Sequence, residues 1–195
     1  MSKRQKIKVK SAGQNVKVSY KWTTFITIGA FLLSVIFSTA TLGAESMGVL
    51  SAIMMLLAIV LVGIVFDIIG VAVSTASEPP FHAMAAKRIS GAKESIAIIR
   101  HAQQISSFCN DVIGDIAGIV SGAMTAAIVV NMAKSGADNA TVWNLVIAGL
   151  VAAVMIGGKA AGKGLAMTHN NTIVFATGKA WHLVKKIFPF NKKKL

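Results

Sequence analysis

Residues 47–73 form an apolar run interrupted by a single charge, Asp67. A helix needs about 20 residues, at 1.5 Å each, to cross the hydrocarbon core of a bilayer. This run is long enough, and a bilayer leaves helices and closed barrels as the only spanning forms. Three more runs, at 22–42, 105–132 and 142–158, have the same character, and no alternating strand pattern, internal repeat or low-complexity tract accompanies them. The sequence therefore predicts an all-α polytopic membrane protein with four transmembrane helices. The composition agrees: 54% of residues are hydrophobic and 14% charged, against about 25% charged in a soluble domain. Cys109 is the single cysteine, which excludes an intrachain disulfide, a CxxC redox pair and a multi-cysteine zinc site.

The net charge of +13 could signal nucleic acid, but its distribution points to a membrane. Seven Lys/Arg fall within residues 1–21, four in 78–104 and eight from Lys159 onward, and Lys134 alone lies in the other connections. Four spans put both termini on one side, and the positive-inside rule makes that side the cytoplasm of a cell (inner or plasma) membrane. The basic tails suit anionic lipids. Aromatic and basic residues do not interleave as base stacking requires, so no nucleic-acid partner is expected. The first run resembles a signal peptide only loosely, at Leu42, Gly43 and Ala44, and is read as an uncleaved span.

Pro79 and Pro80 stop the second span. The following stretch, 80–104, is basic and amphipathic and reads as one or two helices at the inner membrane surface. Residues 172–188 repeat that character, with Val174, Trp181, Val184 and Ile187 among lysines. The chain then divides into a basic tail (1–21), an extra N-terminal span (22–42), a core (47–164) and a basic C-terminal helix and tail (165–195).

Carboxylates are costly in a bilayer, at about 2.5–3.5 kcal/mol each on the insertion scale, and mark function by default. Asp67, Asp111 and Asp115 lie within spans. Ser74, Thr75 and Glu78 continue a face from Asp67, and Ser107, Asp111 and Asp115 repeat every four residues on the third span with Asn110 beside them. Two such stripes form an oxygen-lined site if their helices pack, and oxygen ligands select hard cations. The alternative is structural: buried acids, or Asp67 paired with a lysine. Gly114, Gly118 and Gly122 form a GxxxGxxxG stripe suited to close helix packing. The histidines have no metal-ligand spacing. No GxSxG context exists, and the glycines at 157–164 lack Walker spacing. An enzyme is not expected.

Ser74, Thr75, Ala76, Ser77 and Glu78, ending a span ahead of a basic helix, resemble the [ST]-A-S-E signature of the CorC/CNNM-type magnesium transporter transmembrane domain. Ile113, Gly114 and Asp115 resemble its I-G-N-N, with Asn110 and Asp111 as the alternative match, and residues 158–166 resemble its G-E-x-x-P-K-x-L-A. The resemblance spans roughly 47–188. It implies a three-span homodimeric domain that binds Mg²⁺ and moves it, coupled to Na⁺, through serine, asparagine and backbone oxygens. On that basis the metal ligands are Ser77, Glu78, Ser107, Asn110, Asp111, Asp115 and Gly158, with Asp67 and Lys159 in a gating or second-ion role. Two departures stand out: the family's Glu is Lys159 and its Pro is Gly162, and the chain is read as lacking the regulatory CBS pair. Lys159 is expected to compete with a cation for Asp111 and Asp115. A non-transporting accessory or regulatory subunit that has lost the ion site is the alternative to transport.

Overall fold

The computed structural model describes residues 20–44, 47–134 and 139–187. Most of the basic N-terminal tail, the connections around Glu45 and Asp138, and the C-terminal lysines from 192 onward lie outside the described residues. Among the described residues the fold is helical without strands, and four helices are long and apolar enough to cross a membrane.

The elements are α1 (Tyr20–Ala44), α2 (Val49–Thr75), α3 (Pro79–Ala86), α4 (Ala92–Arg100), α5 (Ala102–Ser107), a π-helical segment (Phe108–Gly114), α6 (Asp115–Lys134), α7 (Ala140–Thr168) and α8 (Asn170–Ile187). From α5 to α6 the chain is one continuous helix, Ala102–Lys134. The fourth long helix runs ten residues beyond the apolar run that marks it. Lys159 and Lys163 end the hydropathy signal there, but Ala, Met, Leu and Lys all favour helix. It stops at His169, whose backbone leaves helical geometry, and α8 restarts at once.

α2 is the hub, packing on α6, α7, the π segment, α5 and α8. The third long helix is the most enclosed, with 67% of its most apolar window buried against none for α1, so α1 is peripheral. One core joins Leu56, Ile59 and Val60 of α2 to Val112, Ile116, Val120 and Met124 across from them. A second core, at the end where α2 stops and α5 starts, gathers Val73, Phe81, Ile98, Ala166 and Val174.

That second core is built in part by the 80–104 stretch, read from sequence as one or two basic amphipathic helices. The stretch forms two short helices, α3 and α4, which pack on each other, while α4 packs along α8. Phe81 is fully buried. The α3–α4 turn needs two left-handed residues, Arg88 and Gly91. At Gly91 a Cβ would also lie 2.8 Å from the Lys179 backbone, so glycine is required there for space as well as for φ. Gly178 repays the approach from α8, where a Cβ would lie 2.8 Å from the Gly91 carbonyl.

Candidate functional site

Asp67 sits on the face of α2 that carries Gly63 four residues before it and Gly70 three after it. Both glycines are buried contacts. A Cβ on Gly63 would lie 2.8 Å from the Ala117 Cβ, and one on Gly70 would overlap the Asn110 side chain. The missing side chains let the third long helix close onto α2 and seal the carboxylate, which is 5% exposed.

The partner of Asp67 comes from α7. Ile64 and Ile68 of α2 seat over Gly158 and Gly162, where a Cβ would lie 2.5 Å from each isoleucine. This GxxxG contact sets Lys159 beside Asp67, with Nζ 3.7 Å from Oδ1. The ammonium also donates to the Gly114 carbonyl at 3.4 Å. Gly114 leaves room for the pair, since a Cβ there would sit 3.2 Å from Nζ and 3.7 Å from Oδ1. An isolated carboxylate in such surroundings would cost several kcal/mol, and the ammonium offsets it.

The offset is incomplete. Asp67 Oδ2 is buried without a hydrogen bond, and so is Asn110 Oδ1. Asn110 spends its amide on Ser106 Oγ at 3.4 Å. The two bare oxygens belong to the same α2–third-helix interface, about one turn apart. Asn110 belongs to the π-helical segment, a rare form that is frequent at functional sites. The interior thus holds one negative charge, one positive charge and two spare acceptors.

The other candidates fall elsewhere. Asp111 and Asp115 lie on the exposed side of the third helix, not facing Asp67. Asp111 accepts from Ser107 Oγ at 2.6 Å. Asp115 lines an open groove of about 460 Å³ with Gly118, Met155 and Lys159, so Lys159 stands between a buried acid and an exposed one. Gly118 reaches Met155 at ordinary contact distance, whereas a Cβ on Gly122 would meet nothing within 4 Å. Between the long helices Gly63, Gly70, Gly158 and Gly162 make tight contacts, and of the 114–118–122 stripe only Gly114 is comparably crowded. Gly158 is filled by Ile64. No three His, Cys, Asp or Glu side chains converge among the described residues.

Ser77 is exposed, and Glu78 serves as a tie. It accepts from Arg100 Nε at 2.8 Å and meets His82 Nε2 at 2.9 Å. The Arg100 guanidinium, and then His82, hold its carboxyl below the usual range. Ser74 and Thr75 are exposed and bond back to the Val71 carbonyl. Glu94 of α4 meets His182 Nδ1 of α8 at 3.1 Å. Burial resists its ionisation, but the His182 contact and the nearby Lys185 charge prevail, and its carboxyl is lowered too.

No family model, no curated protein and no solved structure matches the chain.

Proposed function

We propose that this chain is a multi-pass membrane protein, both termini cytoplasmic, in which a tethered ammonium stands where a CorC/CNNM-like domain would hold its cation. It acts as a non-transporting accessory or regulatory membrane subunit. The observation that carries this reading is Lys159 Nζ lying 3.7 Å from Asp67 Oδ1 while donating to the Gly114 carbonyl. A positive charge already answers the buried acid, and a divalent cation would meet repulsion from it. The outward placement of Asp111 and Asp115 supports the same view.

A second reading, Mg²⁺ binding and transport with Na⁺ as the coupling ion, is favoured by the two bare oxygens, Asp67 Oδ2 and Asn110 Oδ1. There a cation would enter as Lys159 swings away toward Asp115, and Lys159 would be the gate. Calorimetric titration of Mg²⁺ into the purified protein separates the two. The accessory reading expects no binding by the parent and measurable binding by Lys159→Glu, which restores the family's residue. Tight binding by the parent, together with Mg²⁺ flux in liposomes, would overturn it in favour of the second.

A further inference from the structure

A cleft of about 500 Å³ opens between the α3–α4 turn, the first turn of α4 and the side of α8. Arg88, Ser90, Lys93, Glu94 and His182 line it, with Ile89 as an apolar neighbour. Glu94 and His182 answer each other at 3.1 Å. Among the described residues, the side chains of Arg88 and Lys93 have no ion pair or hydrogen bond. The cleft therefore carries two uncommitted cations around one internally matched pair. The first turn of α4 forms one wall. Arg88 stands at a left-handed turn position, φ 56°, with its side chain exposed.

A guanidinium, an ammonium and a serine hydroxyl set around a pocket of this size match a tetrahedral oxyanion, because the guanidinium fork fits two phosphate oxygens at once. Ile89 is 42% exposed beside them, which suits a ligand with an apolar end. The cleft also lies at the end of the molecule where α2 stops and α5 begins, the end with the basic connection.

We infer that this cleft binds a phosphate group as carried by the headgroup of an anionic membrane lipid. Arg88 and Lys93 take the phosphate oxygens, Ser90 donates a further hydrogen bond, and Ile89 adjoins the start of the acyl chains. The lipid as source rests on the membrane reading above; inorganic phosphate carries the same chemistry. A lipid held here would brace α3, α4 and α8 together.

The test uses the full chain in neutral detergent, followed by native mass spectrometry with phosphatidylglycerol, with phosphatidylcholine and, separately, with inorganic phosphate. Phosphatidylglycerol should be retained at least about tenfold better than phosphatidylcholine, and Arg88→Gln with Lys93→Gln should lower retention by about tenfold or more, as expected for lost charge-assisted bonds. Lys134→Gln with Lys163→Gln removes the same charge away from the cleft and should change little. Equal retention of both lipids with no phosphate adduct, or an equal loss in the control pair, overturns the inference. Inorganic phosphate held through Arg88 and Lys93, without lipid preference, keeps the phosphate site and assigns it to soluble phosphate compounds. Flotation of the parent with vesicles judges the membrane reading separately: a chain that fails to float loses that reading, and the inorganic-phosphate arm still decides the cleft.

Discussion

Two regions of this molecule join helices through pairs of acidic and basic side chains, and they do so on different terms. In the interior, Asp67 and Lys159 link α2 to α7 at 3.7 Å, with the carboxyl side chain 7% exposed and one of its oxygens bare. At the basic end, Glu78 with Arg100 and Glu94 with His182 make shorter contacts, at 2.8 and 3.1 Å, but closer to water. The interior pair is longer and less completely bonded, yet more consequential, because removing either partner strands a charge in low dielectric. The outer pairs are better made and individually weak, since water and salt can replace either partner. Bond length alone ranks these contacts in the wrong order, and burial reverses it.

The comparison can be broken first at Lys159. Lys159→Met should destabilise the protein by about 3–5 kcal/mol, the usual loss when a buried pair is halved. Pairing it with Asp67→Asn should restore much of that loss, which thermal unfolding in detergent would measure as strong coupling between the sites. Additive losses would mean that the pair is not the interior tie described here.

Next comes the backbone contact at the basic end. Gly178→Ala drives a Cβ to 2.8 Å from the Gly91 carbonyl and 3.0 Å from the Ser95 amide. Neither can rotate away, so a loss of about 1–3 kcal/mol is expected. Gly122→Ala enters open space and should change stability by less than about 0.5 kcal/mol. Similar effects at both positions would place Gly122 against a second copy of the chain.

The smallest effect concerns acid. Glu94 has a lowered carboxyl in the fold, so its contribution is present above its ordinary value of 4.5 and is lost as pH falls through the lower, folded value. The protection factors of the α8 amides, exchange relative to the intrinsic rate at the same pH, should fall below about pH 4.5, by an amount matching an outer pair of about 0.2–1 kcal/mol. Glu94→Gln should show faster exchange at neutral pH and a flatter acid response.

The four long helices were legible because a membrane-length apolar run has few other outcomes. Their ends were not, since Lys159 and Lys163 interrupt hydropathy without interrupting helix. Asp67 was legible as a special residue, and a lysine partner was one of its two readings. The choice of Lys159 was not, because it depends on how Gly158 and Gly162 seat against α2, a relation between distant segments. The stripe that does matter, Gly63, Asp67 and Gly70, was there to read at i, i+4 and i+7. It was outshone by the more regular GxxxGxxxG, a reminder that regular spacing shows which face is smooth and not what that face meets. Asp111 and Asp115 share a side of the third helix, as their spacing predicts, and that side is exposed; spacing tells which residues share a face and not what the face meets.

The π-helical segment at 108–114 has a further consequence. A π turn holds one residue more than the α turn it replaces, so it acts as a one-residue phase shift in the third helix. An α-helix advances about 100° per residue. Deleting a single residue from the 108–114 stretch would let the ladder close as α with α5 and α6 keeping their mutual orientation, whereas keeping the residue in an unbroken α ladder would turn α5 by about that angle against α6. Asn110 would leave its seat over Gly70, and the polar half of the helix would swing past α2 while the apolar half stayed where it is. The third helix is thus two helices of different phase sharing one axis, and the extra residue decides which side chains look inward.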